Sequence, residues 1–388
     1  MRVNSWNEWS KLKTIVVGRA NNAAFNPEEP AFKARINSSN SSNELYWPSG
    51  LGKKQQVIDA ANEQLDHLAQ VLKSFKVNVL RPTTNINFTQ SIQSPLWKID
   101  GMFCCVCPRD VMITLGNYIL EATMSKRSRF FEYLPYRQIV NEFWNIDKNM
   151  KWKSAPKPSM GNHMYRTDYW QKFVDFETKS KEQQYQLLHN WQYVLNEEEL
   201  AFDAADISRF GEDIFVQHSM TTNLKAIEWL KREFRDYIRV HTLHFPHDQE
   251  PSHIDCTFIP LRPPRRDKCG IVLTNPERPP IEDEIQIFKE NNWQFVDSPK
   301  PNAINTQMPT FCQSSKWLSM NILSIDESTL ICEQNETDLC DLLRSLDFKV
   351  IPLPFRHVFE FGGSFHCATW DIEREGIKEN YFSNTFPS

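Results

Sequence analysis

The segment QVIDAANEQLDHLAQVLKSFKVNVL, residues 56–80, joins an amphipathic helix to a short strand. Apolar residues recur along its first part at the spacing of one helical face: Ile58, Ala61, Leu65, Leu68 and Leu72. The alternating VNVL that follows is typical of a strand. The same order of helix, turn and strand returns three more times in the chain, at 224–243, 281–299 and 337–355. Recurrence of one such unit predicts a repeat architecture.

A hairpin-like segment precedes each helix, which predicts five hairpin–helix–strand modules. We place the helix of the second module around 129–145, and its closing strand is the least defined of the five. The segment GGSFHCATWD, 362–371, supplies one last strand, as a chain end would if it closed a ring against the first module. We therefore predict one α/β domain over 1–388, a five-bladed α/β propeller. Its expected parts are modules 1–96, 97–199, 200–252, 253–313 and 314–352, with a closing segment 353–388.

Composition excludes several classes of protein. The chain has 388 residues, a net charge of −5 and 40% hydrophobic residues, and no apolar run approaches the ~20 residues of a membrane span. A nucleic-acid binder needs a dense basic face, whereas the one basic run here, RPPRR at 262–266, reads as a solvated loop. Nine cysteines form no paired spacing, and the first residues do not resemble a secretory signal. We expect a cytoplasmic protein with reduced thiols.

In a ring of modules, the starts of the hairpins all face the central axis, so polar residues at these positions are expected to meet there. The candidates at hairpin starts are Asp110, Asp203, His253, Asp255, Ser314, Ser315 and Cys367. A cysteine attacks as its thiolate, which a nearby histidine or cation favours. His253 is the expected base because Asp203 and Asp255 bracket it. His366 neighbours Cys367 on the predicted strand, so it is expected to point to the opposite face and to pack.

Several carboxylates beside a cysteine and a histidine suit a planar cation such as a guanidinium, whose donors match carboxylates in bidentate geometry. Arg278, in NPERP, together with Ser314 and Ser315, is expected to hold the carboxylate end of an amino acid. The site therefore favours a guanidino compound as the substrate.

Eleven motifs, in this order, resemble the glycine amidinotransferase family of the pentein superfamily: VNSWNEW, PRDVMI, RSRFFEY, WKSAPKP, FDAAD, DIFVQHS, IEWLKR, HID, NPERP, SSKWLSMN and GGSFHC. The resemblance implies that Cys367 attacks the guanidinium carbon of L-arginine, that an amidino-cysteine forms and that ornithine leaves. An acceptor amine then takes the amidino group. It also implies that His253 protonates the departing amine and later deprotonates the acceptor, with Asp203 orienting it.

The same resemblance gives Asp110 and Asp255 the role of guanidinium ligands, and gives Arg278, Ser314 and Ser315 contacts to the amino-acid end. It implies no cofactor and no metal, and a possible homodimer. Ser252 departs from the family, whose vertebrate glycine-using members carry a bulkier methionine there. A smaller side chain beside His253 leaves room for an acceptor larger than glycine.

Alternatives remain at this point. A guanidine-modifying hydrolase of the same superfamily would use water to resolve the adduct, and a non-catalytic binding protein of this fold would lack the reaction. A metal cluster is only a weak alternative, because its candidate histidines do not share one helical face. These histidines are His241, His244, His247 and His253. The run CCVC at 104–107 is expected to pack in the core, since it has no second cluster at ligand spacing.

Overall fold

The computed structural model describes residues 1–32, 48–166, 179–180, 182–183, 186, 193–245, 253–302 and 315–382. Within these ranges, five three-stranded sheets share one topology, in which an antiparallel pair of strands gains a third, parallel strand. A parallel third strand requires a crossover connection, and the predicted helices supply it. The repeat seen in the sequence is therefore a repeat of sheets.

The strands of these sheets are, in chain order, β1 (Leu12–Val17), β2 (Asn78–Leu80), β5 (Met112–Leu115), β6 (Tyr118–Glu121), β7 (Lys151–Ser154), β8 (Ile207–Phe210), β9 (Asp213–Gln217), β10 (Arg239–Leu243), β11 (Phe258–Arg262), β12 (Gly270–Thr274), β13 (Trp293–Asp297), β14 (Leu323–Asp326), β15 (Thr329–Glu333), β16 (Lys349–Leu353) and β17 (Thr369–Arg374). A small separate hairpin that the sequence did not predict consists of β3 (Ile92–Gln93) and β4 (Lys98–Ile99). The α-helices are α1 (Gln55–Ser74), α2 (Pro108–Val111), α3 (Arg137–Ile146), α4 (Leu224–Phe234), α5 (Gln286–Glu290), α6 (Thr337–Ser345) and α7 (Arg356–Phe359).

The crossover helices form where the apolar period predicts them. In α4, the side chain of Asn223 accepts a hydrogen bond from the backbone N–H of Ala226 and so caps the first turn. Its buried face carries Ile227 and Leu230 onto the sheet. Burial of one such leucine stabilises the fold by roughly 1.5–3 kcal/mol. In the second module, the predicted helix at 129–145 is shorter, because 3₁₀ turns occupy 127–129 and 134–136 and α3 begins at Arg137.

The C-terminal strand closes the first sheet. β17 pairs antiparallel with β1, with Thr369 opposite Val17, as the sequence predicts for a closing segment. Cys367, however, does not lie on this strand. It lies in the turn before it, where the N–H of Ala368 donates to Ser364 O and the N–H of Thr369 donates to His366 O. These local bonds replace a sheet ladder, and they place the cysteine at the strand's start.

Contacts between the sheets run in a cycle. β17 contacts β5, and the 3₁₀ helix Ala204–Asp206, which precedes β8, also contacts β5. Further round, β8 contacts β11, and β14 contacts β1. Ile259 and Leu261 of β11 join Ile322 and Leu330 in one apolar cluster, which completes the cycle. This cycle supports the propeller arrangement, and the module boundaries stay a prediction. No helix in the described ranges has both the length and the apolar character to cross a bilayer.

Candidate active site

The site residues that the structure describes lie in short turns directly before the first strands of the sheets. Asp110 is on α2, Asp203 precedes the 3₁₀ helix Ala204–Asp206, and His253 precedes the 3₁₀ helix Ile254–Cys256. These turns contact one another. The tertiary structure thus brings together residues that are more than 140 positions apart in the chain.

His253 is bound by two carboxylates. Its Nε2 lies 3.1 Å from Oδ2 of Asp203, and its Nδ1 lies 3.8 Å from Oδ1 of Asp110. Burial by itself would lower the pKa of His253, but the charges of Asp110, Asp203 and Asp206 outweigh burial and raise its pKa to about 9. The imidazole is therefore protonated at neutral pH, and it can donate a proton.

Asp203 is held as an anion in a fully buried position. The backbone N–H of Ser125 donates to its Oδ1 at 2.8 Å. Although burial favours the neutral acid, the hydrogen bond with His253 and the charge of that imidazole lower the pKa of Asp203. Asp206, one turn further on, accepts hydrogen bonds from the hydroxyls of Ser219, Thr221 and Thr222. Burial outweighs these bonds and raises the pKa of Asp206 to about 6.

The Cys367 thiol donates a hydrogen bond to Oδ2 of Asp255 at 3.2 Å, and the side chain is buried. A hydrogen bond with Cys256, burial, and the charges of Asp255 and Asp110 raise the pKa of Cys367 well above its ordinary value. Cys367, the predicted nucleophile, is therefore a neutral thiol in this structure. A bound cation would favour the thiolate, since opposite charge lowers a thiol pKa.

His366 does not pack on the opposite face, as the sequence analysis expected. Its Nδ1 lies 2.9 Å from Oδ2 of Asp255, the oxygen that receives the Cys367 thiol. Its Nε2 lies 3.3 Å from Oε2 of Glu8. The expectation was wrong because it assumed the alternation of a strand, whereas His366 and Cys367 share a turn.

Glu8 continues this chain of polar groups into the core. Its carboxylate accepts hydrogen bonds from Nε and Nη2 of Arg209. Burial would raise the pKa of Glu8, but the charge of Arg209 outweighs burial and lowers it. Arg209 also donates to the buried carboxylate of Asp371. Because Glu8 remains charged, it can hold the far nitrogen of His366.

Asn321 holds the backbone at Cys367 by hydrogen bonds. Its Oδ1 accepts hydrogen bonds from the N–H groups of Cys367 at 2.9 Å and Ser364 at 3.2 Å, while its Nδ2 donates to Asp255 O at 3.1 Å. Sequence reasoning had included Asn321 only as the last letter of SSKWLSMN. A buried asparagine with this number of partners ties two distant turns together.

Asp110 is oriented by a residue that the sequence analysis did not single out. Arg129, from the motif RSRFFEY, binds Oδ2 of Asp110, and its Nε donates to Glu132 at 2.6 Å. The other oxygen of Asp110, Oδ1, is buried and accepts no hydrogen bond from the described residues. This oxygen faces His253 and can accept a donor from a ligand.

Arg278 and Ser315 lie in the described structure, and their ligand roles stay predictions. Nη1 of Arg278 donates to the hydroxyl of Thr257 at 2.7 Å, and the guanidinium carbon lies 5.3 Å from the ring centroid of Phe245. The Ser315 hydroxyl accepts the N–H of Trp317 and caps a 3₁₀ helix. Ser252 and Ser314 lie outside the described residues.

Among the described residues, the histidines do not gather at one possible metal site. His241 binds Asp213 at 2.7 Å and His244 binds Glu284, so these two rings face different carboxylates, and His247 lies outside the described residues. Among the described side chains, the one group of three potential metal-binding atoms is Asp255, Cys256 and Cys367. The cysteines Cys104, Cys105 and Cys107 are buried in the apolar clusters instead.

The chain is similar to enzymes of known activity over nearly its full length. It is 37% identical over 385 residues to the mitochondrial glycine amidinotransferase of Gallus gallus, an alignment that covers 98% of this chain and 85% of that enzyme. The chain belongs to the glycine amidinotransferase family. The family predicted from the motifs is thereby confirmed.

Other amidinotransferases are similar to this chain over the same share of its length. The L-arginine:L-lysine amidinotransferase of Pseudomonas savastanoi pv. phaseolicola is 34% identical over 381 residues, covering 98% of this chain and 96% of that one. A solved amidinotransferase from Microseira wollei, of the saxitoxin biosynthetic pathway, superposes with a TM-score of 0.83 at 32% identity, covering 98% of this chain and 99% of that one. No family model matches the chain. These amidinotransferases confirm the α/β fold class.

Proposed function

We propose that this amidinotransferase takes its amidino group from L-arginine and passes it to an acceptor amine through an adduct on Cys367. The observation that carries the proposal is the convergence of the Cys367 thiol with Asp255, and of protonated His253 with Asp203 and Asp110, in adjacent turns. The arrangement supplies a nucleophile, an acid and carboxylates for a cation. The relatives' names are consistent with this donor.

The guanidinium group is bound by the carboxylates. Asp110 offers its buried Oδ1 and Asp255 offers its carboxylate beside Cys367, so a planar cation between them would satisfy both. Its positive charge also lowers the pKa of the thiol, which burial and the carboxylates raise in the free enzyme. Binding of the substrate thus prepares the nucleophile. Arg278 and Ser315, with Ser314, are proposed to hold the amino-acid end.

The first half-reaction forms the adduct. The Cys367 thiol gives its proton to the Asp255–His366 pair as Sγ attacks the guanidinium carbon and makes the S–C bond. His253 donates a proton to the side-chain nitrogen, the C–N bond to that nitrogen breaks, and ornithine leaves. Asp203 and Asp110 stabilise the charged imidazole before this transfer.

The second half-reaction reverses these roles. The acceptor amine loses a proton to the now neutral His253 and attacks the amidino carbon, and the S–C bond breaks to regenerate Cys367. The acceptor is glycine or, because Ser252 replaces a larger side chain, a different or larger amine. The relatives themselves divide between glycine and L-lysine in their names.

The experiment is the intact mass of the protein after brief mixing with L-arginine alone, followed by peptide mapping and a panel of amines. We expect one amidino group on Cys367, discharged only by an acceptor amine, and no adduct on a Cys367→Ala variant that still binds arginine. Release of ammonia, an adduct that keeps the whole arginine carbon chain, and hydrolysis of that adduct to citrulline would identify the hydrolase instead. Absence of both adduct and ornithine would leave a binding protein.

A homodimeric state and a cytoplasmic location are part of the proposal. The location rests on the sequence prediction alone, and four of the relatives are named as mitochondrial. Light scattering coupled to size-exclusion chromatography measures the mass of the assembly. A mass near one chain would reject the dimer.

A further inference from the structure

The mechanism uses one thiol, yet a second thiol lies beside it. Potential ligand atoms of Asp255, Cys256 and Cys367 all lie within 4.8 Å of one another, and both cysteines are unbridged and buried. Nothing in the amidino transfer assigns a role to Cys256. A buried thiol that touches the nucleophile therefore needs its own explanation.

Asn321 holds the two cysteines together. Its Nδ2 donates to Cys256 Sγ at 3.3 Å, and its Oδ1 accepts the backbone N–H of Cys367 at 2.9 Å. Asp255 contacts both sulfurs, with Oδ1 at 3.6 Å from Cys256 Sγ and Oδ2 at 3.2 Å from Cys367 Sγ. One amide and one carboxylate thus hold both sulfurs in a single cluster.

We propose that Cys256 is the resolving partner of Cys367 and that a peroxide converts the pair into a reversible disulfide. A disulfide needs sulfur atoms about 2 Å apart. The sulfurs already lie within 4.8 Å, so rotation of the two side chains can close the remaining gap. The peroxide must be small, since Cys367 is buried.

The chemistry balances with the peroxide as the two-electron oxidant. The Cys367 sulfur attacks one peroxide oxygen, the O–O bond breaks, and Cys367 becomes a sulfenic acid while the peroxide leaves as water or an alcohol. The Cys256 sulfur then attacks the Cys367 sulfur, an S–S bond forms, and the sulfenic oxygen leaves as water with the proton of Cys256. Asp255 lies within reach of either thiol proton.

Two consequences follow. The disulfide removes the nucleophile, so the enzyme is switched off, and it prevents further oxidation to the irreversible sulfinic acid. The hydrogen bond with Cys256, burial and the charge of Asp255 raise the pKa of Cys367, so little thiolate is present at neutral pH and the first step needs strong oxidation. Only the loss of activity rests on the proposed function, because the disulfide itself does not require it.

The test treats the full-length protein with hydrogen peroxide and follows mass, cross-linked peptides and ornithine release. The wild type is expected to lose about 2 Da, to yield a Cys256–Cys367 peptide and to recover fully with dithiothreitol. In Cys256→Ala, and in Cys256→Ser as a second variant, Cys367 is expected to gain about 32 Da as the sulfinic acid. Irreversible loss should be at least about 10-fold faster in these variants than in the wild type.

A second close thiol pair supplies the control. Cys332 and Cys340 share a hydrogen bond in another part of the core. Cys340→Ala is expected to form the Cys256–Cys367 bridge as the wild type does. A 2 Da loss that persists in Cys256→Ala but disappears in Cys340→Ala would overturn the proposal, and so would equal rates of sulfinic acid formation with and without Cys256. Because mass is measured directly, either result is independent of whether arginine is the donor.

Discussion

Nδ1 of His366 lies 2.9 Å from Oδ2 of Asp255, the carboxylate oxygen that also accepts the thiol of Cys367 at 3.2 Å. The Cys367 thiol and His366 therefore contact the same carboxylate oxygen. His253 instead contacts Asp203. We infer a division of work between the two histidines. His366 assists the removal of the thiol proton, and His253 serves the amine.

His366→Gln tests the first half of this division. The variant loses the imidazole hydrogen bond that helps hold Asp255 as an anion, so adduct formation with L-arginine should slow by about 10- to 100-fold, or about 1.4–2.8 kcal/mol of activation free energy. The pH profile for alkylation of Cys367 by iodoacetamide should also shift. A merely structural role would leave that profile unchanged while it lowered the melting temperature.

His253→Asn tests the second half. Without a proton donor for the departing amine, adduct formation and ornithine release should both fall by about 10²- to 10⁴-fold. Rapid-quench mass analysis measures the adduct directly. His241→Asn, which alters a histidine bound to Asp213 away from the site, is the matched control and should retain the wild-type rate. Normal adduct formation in His253→Asn would move the acid elsewhere.

The pH dependence of amine release follows from His253. Because its pKa is raised to about 9, the imidazolium is present at neutral pH, and the acid is lost as pH rises through about 9. Single-turnover ornithine release should therefore decline on the alkaline side of that value. The same ion pairs stabilise the fold below the ordinary histidine pKa, and this stabilisation is lost as pH rises through about 9. An alkaline limb that survives in His253→Asn would assign it to another group.

Asn321→Ala is expected to destabilise the protein. It leaves the buried N–H groups of Cys367 and Ser364 without their acceptor, and an unsatisfied buried donor costs about 1–3 kcal/mol. Urea denaturation measures the change in the free energy of unfolding. Asn335→Ala removes a hydrogen bond that an exposed amide makes to Glu333, and it should cost less. Equal losses in the two variants would remove the special role of Asn321.

Ser252→Met is expected to shift acceptor preference toward small amines, because a bulkier side chain beside His253 narrows the space for the acceptor. The ratio of kcat/KM for glycine to that for L-lysine, at saturating L-arginine, measures the shift. Adduct formation with arginine alone is the control, and it should stay unchanged. An unchanged ratio would remove Ser252 from acceptor choice.

The sequence by itself determined the repeated unit. The apolar period in 56–75 and its three later repeats predicted the helices and the strands that follow them. It also determined the family, because eleven motifs in one order leave few alternatives. The candidate nucleophile and the carboxylates near it could be predicted because cysteine, histidine and aspartate are rare together at hairpin starts. Those choices depend on local pattern, which a single chain carries.

Only the tertiary structure decided which groups share a hydrogen bond. Cys256 neighbours Asp255 in the sequence, but its contact with Cys367 depends on how two turns 111 residues apart meet at Asn321. His366 was misassigned because its direction follows from a turn and not from strand alternation. Glu8 and Arg129 lie in the motifs VNSWNEW and RSRFFEY, but those motifs do not show that the two side chains contact His366 and Asp110. Distance between side chains is a property of the packed fold, and no residue's own neighbours encode it.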